Sequence, residues 1–235
     1  MHTFEDHCWQ DVVDGESLKI YAKHIREVRV GPRPALLAID LYNRVYEGGA
    51  RPVGELVGRF PSACGEHAWR AIAPTKALIA ACRRAGIPVV YSTGAPEGPT
   101  KLRKRVWASE ETNLDPYGIR EEFAPMPEDR IIYKERASTF HGTPLDAYLR
   151  ERRVESLIVC GESTSGCVRA SVVEAIALGF HVAIAEECCF DRMMISHKIN
   201  LFDMHHKYAD VLHVDEIIAH LDGLARARAL QGARA

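Results

Sequence analysis

Three residues that together can make a nucleophile each follow a separate apolar run. Asp40 follows Ala35-Leu-Leu-Ala-Ile39, Lys134 follows Arg130-Ile-Ile-Tyr133, and Cys167 follows Leu157-Ile-Val-Cys160-Gly161 after one short loop. A free thiol titrates near pH 8.5 (roughly) and is mostly protonated at neutrality. A neighbouring ammonium and the unpaired N–H groups of a helix start favour the thiolate, and a carboxylate can take the thiol proton. Asp, Lys and Cys are therefore a complete set for nucleophilic attack without a histidine. Each also has a plainer role: an Asp closing a strand can be a turn residue, a Lys after a strand can be solvated, and a Cys can fill a tight helix–sheet contact. Their common position after strand-like runs favours the chemical role for all three.

Those runs recur along the chain. Ala35 to Ile39, Ile87 to Ser92, Arg130 to Tyr133, Leu157 to Cys160, His181 to Ala185 and Val211 to Val214 are short and largely unalternated, as buried parallel strands are. Helical patterns lie between them at Pro74 to Ala85, Pro144 to Arg153, Cys167 to Leu178, Ser196 to Tyr208 and Val214 to Leu221. Gly86 and Gly179 stand where helices end, and Pro144 suits a first turn. The alternation predicts an α/β fold: a doubly wound, mostly parallel six-stranded sheet with helices on both faces and right-handed crossovers. In such a sheet the site lies beyond the carboxyl ends of the strands. Asp40, Lys134 and Cys167 would share that edge.

The 235 residues carry 47% hydrophobic and 26% charged side chains, enough for one large core. A net charge of -2 from 30 basic and 32 acidic residues points to small-molecule partners, with neither nucleic acid nor membrane expected. The opening Met1-His-Thr-Phe-Glu-Asp-His lacks the order of a signal peptide, so a cytoplasmic protein is expected. Seven irregularly spaced cysteines fit reduced thiols better than a disulfide framework. Residues 1–34 form an N-terminal extension whose amphipathic Ser17 to Val28 could pack on the parent domain or reach a neighbouring subunit as an oligomer arm. Residues 35–222 form the main domain and 223–235 a tail read as a fraying helix end. The stretches Tyr42 to Ala73 and Gly94 to Asp129 are rich in Gly, Pro and charge and read as long functional loops. The second carries the basic cluster Lys101-Leu-Arg103-Lys104-Arg105, read as a solvated face or an attractor for an anionic substrate.

Several motifs resemble one family. They are Thr164-Ser-Gly-Cys-Val-Arg-Ala-Ser-Val-Val173, Asp191-Arg192 followed by His197 and Asn200-Leu-Phe-Asp-Met204, Ile39-Asp40-x-x-Asn43, and Lys134 before Ser138-Thr-Phe-x-Gly-Thr143. From about Pro34 to Leu221 the chain resembles the isochorismatase-like cysteine hydrolases, in their N-carbamoylsarcosine and maleamate amidohydrolase branch. The resemblance implies a Cys167 nucleophile, an Asp40 proton carrier and a Lys134 cation, the same trio that the strand ends indicate. It further implies a cis peptide at Glu162-Ser163, an oxyanion hole of the Ser163 and Cys167 amides, and a substrate contact from Arg192; Thr164 and Glu162 are read as further substrate-binding positions. Arg192 would hold a substrate carboxylate, for which a guanidinium fork is suited; otherwise it would pair with Asp191 or with Glu186 and Glu187. The implied activity is metal-independent, cofactor-free hydrolysis of a small carbamoyl or primary amide compound with release of ammonia. The implied assembly is a homodimer or homotetramer.

The sequence also departs from that pattern. Glu162 replaces a small apolar residue; facing the site, it would repel an anionic substrate and could hold an amide N–H₂ or a cationic group, and facing away it could pair with Arg169. The segment after the second strand, Ser92-Thr-Gly-Ala-Pro-Glu-Gly, lacks the Asp-x-His that holds metal in related nicotinamidases. Two alternatives stay open: a hydrolase of a biuret-like urea or lactam, and a non-catalytic thiol redox sensor built on the same fold.

Overall fold

The structure, a computed structural model, describes residues 2–95 and 114–232. Six parallel strands form one sheet: β1 Pro34–Ile39, β2 Val89–Gly94, β3 Arg130–Lys134, β4 Ser156–Gly161, β5 His181–Cys189 and β6 Asp210–Leu212, in the order β3-β2-β1-β4-β5-β6. All six residues of β1 and of β4 are buried, which is why neither shows apolar–polar alternation. The helices are α1 Gly15–Tyr21, α2 Val53–Leu56, α3 Gly65–Arg70, α4 Ile72–Arg84, α5 Leu145–Glu151, α6 Arg169–Ala177, α7 Met194–Lys207 and α8 Val214–Gly232.

Alternate strand residues serve two cores, as the pleat requires. Leu36, Ala38, Tyr91, Ile158 and Ala183 pack with Leu78 and Cys82 of α4 and Ile217 and Leu221 of α8. Leu37, Ile39, Val90, Val159 and Ile184 pack with Leu145 and Leu149 of α5, Val172 of α6 and Leu201 and Met204 of α7. The sheet is thus covered on both faces. Strand order reverses between β1 and β4, and a crevice opens at such a switch point beyond the strand ends.

Several expectations shift. The stretch 42–73 is not one loop: it folds into a 3-10 turn at Asn43–Tyr46 and the short helices α2 and α3. Pro144 caps α5 instead of entering its first turn. Residues 223–232 continue α8. Gly86 and Gly179 do take the left-handed conformation expected after a helix, with φ of 62° and 86°. The basic cluster 101–105 lies outside the described residues. None of the described helices is long and apolar enough to cross a membrane.

The described N-terminal extension packs on its own chain. Trp9 is fully buried, with its indole donating to Glu5 and its ring edge-on to Phe202 of α7. His7 pairs with Glu186 at 2.5 Å, the Cys8 amide donates to the same carboxylate, and Arg26 binds Asp210 and the carbonyls of His205 and Ala209. Ile20 and Ile25, on the amphipathic segment, stay exposed.

Candidate functional site

Strand register brings the trio together. Ile39 is level with Gly161 across β1–β4 and with Ser92 across β1–β2, while Gly94 is level with Lys134 across β2–β3. Asp40, one residue beyond β1, has φ 56°, a left-handed conformation that turns the chain as the strand ends. Gly161 has φ 116°, and a Cβ there would lie 1.9 Å from the Ile39 carbonyl oxygen. That same oxygen accepts the Glu162 amide, so β4 can leave the sheet beside Asp40 only because residue 161 is glycine.

Asp40 is 1% exposed and Lys134 7% exposed. The Lys134 Nζ lies 2.7 Å from Asp40 Oδ2 and 3.3 Å from Cys167 Sγ, so one ammonium reaches both the carboxylate and the thiol. The Cys167 thiol and the Asp40 carboxylate each act on the other's protonation. Burial raises the Asp40 pKa against the pull of Lys134. Burial alone would lower Lys134, but Asp40 and Cys167 reverse this and hold it as an ammonium.

Cys167 departs from the expected helix start. It lies in a π-helical turn, Thr164–Val168, and α6 begins only at Arg169. Its thiol is not lowered: burial, followed by the Asp40 carboxylate, pushes it up to about 12. The physical reason is that a buried thiol facing a carboxylate keeps its proton until that carboxylate accepts it.

The peptide Glu162-Ser163 is cis. In the loop that follows, the Thr164 amide donates to the Phe190 carbonyl, the Ser165 amide to Asp191, and the Gly166 and Val168 amides to the Ser163 carbonyl. The Ser163 amide has no such acceptor among the described residues.

The expected substrate contacts separate. Thr164 is fully buried, and its hydroxyl is spent on the Phe190 carbonyl at 3.1 Å and His197 at 2.8 Å, so it braces the nucleophile loop and does not reach a substrate. Arg192 is exposed and donates to the Pro61 carbonyl at 2.5 Å. Its guanidinium does not pair with Asp191, which holds Ser165 and accepts the Arg192 backbone amide at 2.8 Å, nor with Glu186 or Glu187, which hold His7 and His213. Glu162 faces Tyr42, whose hydroxyl donates to it at 3.2 Å, and Cys64, whose Sγ is 3.9 Å away. Arg169 instead binds Asn200 and Asp203.

Sequence reasoning missed a buried hydroxyl chain behind the base. Ser171 of α6 donates to Thr139 at 3.1 Å, Thr139 to Ser92 at 3.3 Å, and Ser92 to Asp40 Oδ1 at 3.2 Å. It fixes the second carboxylate oxygen while Lys134 holds the first. The signal was a Ser inside an apolar strand end and the Ser138-Thr139 pair, both of which look like ordinary turn chemistry until folded.

Two further groups of side chains come close enough to share an ion: His2, Asp6 and His213, and His7, Glu186 and His213. His213 bonds Glu187 through Nδ1 and the Asp6 carbonyl through Nε2, both at 2.6 Å. Burial would lower its pKa, but those two acceptors push it up to about 9. An imidazolium donating from both nitrogens has no lone pair for a metal.

Comparisons agree with this geometry. Residues 34–216 match the isochorismatase domain. N-carbamoylsarcosine amidase of an Arthrobacter species is 34% identical over 212 residues, covering 85% of this chain and 75% of the relative. Maleamate amidohydrolase of Pseudomonas putida is 30% identical over 207 residues, covering 85% and 92%. Among solved structures, N-carbamoylsarcosine amidase of Thermoplasma acidophilum superposes with a TM-score of 0.64 at 25% identity, covering 78% of this chain and 98% of its own. With a matching domain over most of its length and the all-parallel sheet of its structural neighbours, this chain belongs to the isochorismatase family and stands with its amidohydrolases.

Proposed function

We propose that the protein is a cysteine-dependent amidohydrolase that cleaves a C–N bond in a small carbamoyl, ureido or primary amide compound and releases ammonia. The observation that carries this is the position of Lys134 Nζ, in hydrogen-bond reach of both Asp40 and Cys167. At rest the negative charge is on Asp40 and the proton on Cys167. When Asp40 takes that proton, the repulsion that held the thiol up to about 12 disappears, and the ammonium already touches the new thiolate. Charge moves from oxygen to sulfur while the cation stays in place.

The thiolate attacks the carbonyl carbon, and the Ser163 and Cys167 amides receive the oxyanion. Asp40 returns its proton to the departing nitrogen as ammonia leaves and an acyl or carbamoyl thioester forms. Water, deprotonated by the same carboxylate, then cleaves the thioester and restores the thiol. Substrates like N-carbamoylsarcosine or maleamate, the compounds named for two relatives, fit this chemistry, with Arg192 serving an anionic far end. A redox sensor needs a thiolate at neutral pH, and a thiol pushed up to about 12 by burial and Asp40 does not favour one.

Ammonia release across N-carbamoyl amino acids, maleamate and biuret-like ureas tests the proposal, with intact-protein mass spectrometry of rapidly quenched enzyme to find the Cys167 adduct. Turnover without Cys167, or no turnover on any compound, would overturn it. A cofactor-free homodimer or homotetramer is the assembly we expect, measured by light scattering.

A further inference from the structure

Behind Asp40 runs a file of hydroxyls that water does not reach. Ser92, Thr139 and Ser171 are each fully buried, and Asp40 is 1% exposed. An ionised carboxylate can only accept, so the Ser92 hydroxyl spends its one proton on Asp40 Oδ1 at 3.2 Å. Thr139 must then donate to Ser92, at 3.3 Å, and Ser171 to Thr139, at 3.1 Å. The far end is anchored by the Thr139 backbone amide, which donates to Ser171 Oγ at 2.9 Å. Every hydroxyl proton in the file therefore points toward Asp40. Turned round, the file would leave the Ser171 proton without an acceptor among the described residues.

Four segments contribute to it. Asp40 follows β1, Ser92 lies in β2 level with Ile39, Thr139 follows β3 five residues after Lys134, and Ser171 stands on α6, four residues beyond Cys167. The file thus joins the carboxylate to the segment that carries the thiol. Other groups face Asp40 as well: Lys134 from β3, Cys167 from the π-helical turn, Glu162 after β4 and Tyr42 beyond β1. Lys134 favours the Asp40 anion, and a charged Glu162 opposes it. Neither belongs to the file, so a change within the file leaves both in place. Burial works against the anion, and the Ser92 hydrogen bond works for it.

We infer that Ser92 and Thr139 are positioning residues for the proposed hydrolysis: with Ser171 they hold Asp40 as the anion that takes the thiol proton, and so set how far into acid the protein can work. This rests on Asp40 acting as the base for Cys167. Loss of a donor to a charged group favours the neutral acid, so the acid limb of the pH profile moves up, toward neutrality. Thr139 acts only through Ser92. Removing both hydroxyls therefore shifts the limb no further than removing Ser92 alone, whereas two merely structural hydroxyls would lower stability in separate increments and leave the limb in place.

Two readouts against pH separate this role from the amidohydrolase reading: kcat/KM for ammonia release from N-carbamoylsarcosine and maleamate, and the rate at which iodoacetamide alkylates Cys167, followed by peptide mass spectrometry. The second needs proton transfer to Asp40 but no substrate. Ser92→Ala should raise the acid limb of both by about one pH unit, Thr139→Val by roughly half of that, and the double variant Ser92→Ala/Thr139→Val by no more than Ser92→Ala. Thr139→Ser, which keeps the hydroxyl, should show the wild-type limb. If Thr139→Val fails to fold, judged by circular dichroism, Ser171→Ala replaces it, since it too breaks the file away from Asp40. A limb unmoved by Ser92→Ala, or shifts that add in the double variant, overturns the role of the file and leaves the amidohydrolase reading standing when ammonia is released. No ammonia from the wild type, with the alkylation limb shifted as expected, overturns that reading and upholds the file.

Discussion

Two clusters of carboxylates and cations stand in this molecule, and they differ in what they leave unmatched. Where residues 2–13 meet β5 and β6, all four oxygens of Glu186 and Glu187 are matched: the first pair by the Cys8 amide and His7, the second by His213 and the Val214 amide. His213 has spent both nitrogens. Nothing is left over, and the cluster acts as a clasp for the N-terminal extension. At the ends of β1, β3 and β4, by contrast, one ammonium touches two groups of which only one is charged at a time. A backbone amide there also lacks an acceptor. Paired carboxylates are common to both; a cation shared with a thiol, and a backbone amide with no acceptor among the described residues, distinguish the strand-end cluster from the clasp.

The sharpest way to break that contrast is Cys167→Ala. It should lower kcat by at least about 10⁴-fold, while thermal unfolding stays close to that of the wild type because only one sulfur atom is removed and the Lys134–Asp40 pair stays in place; near-normal turnover would show that the trio is another clasp. Asp40→Asn should cost roughly 10²–10⁴ in kcat/KM, the range for a lost proton carrier, and the same assay reads it. Lys134→Met tests both aspects, since it strands the Asp40 carboxylate in the core. A loss of about 3–5 kcal/mol in urea unfolding is expected, and a stability equal to the wild type would mean that Asp40 is neutral without its cation.

The clasp has its own signature in pH. His213 is held up to about 9 against an ordinary 6.5, so the native state keeps a proton that the unfolded chain gives up first. Its stabilisation is complete below about pH 6.5 and is lost as pH rises through about 9. Unfolding midpoints measured from pH 6 to pH 10 (roughly) should fall in the wild type and fall less in His213→Gln; parallel curves would dissolve the clasp. His197, lowered to about 4 by burial, acts on the acid side and does not confuse that window. The smallest effect is expected from Arg192→Ala, a rise in KM of about tenfold for a substrate with an anionic end and little change in kcat. An unchanged KM would assign Arg192 to its Pro61 contact alone.

Much of this was legible in one dimension. Short apolar runs marked all six strands, most clearly β1 and β4, which are buried on both faces and have no polar side to display, and a residue just past such a run lies at the strand ends where sites form. That sufficed for Asp40, Lys134 and Cys167. The same logic could not reach Ser92 or Thr139, whose hydroxyls matter only because register places them in file behind Asp40, nor Thr164, which stands in the nucleophile motif yet turns inward to His197. It also erred on the thiol. A helix start favours a thiolate, but burial and a facing carboxylate outweigh it here, and neither is a property of the local sequence.

Sequence by itself determined the sheet, the trio and the family, since period, strand-end position and motif are written along the chain. Tertiary structure alone decided the charge on the nucleophile, the inward turn of Thr164 and the direction of Glu162. These depend on which groups meet across distances of tens of residues, such as Tyr42 with Glu162 and Lys134 with both Asp40 and Cys167, and on how little water reaches them. Electrostatic energy follows proximity and burial, and only folding sets those.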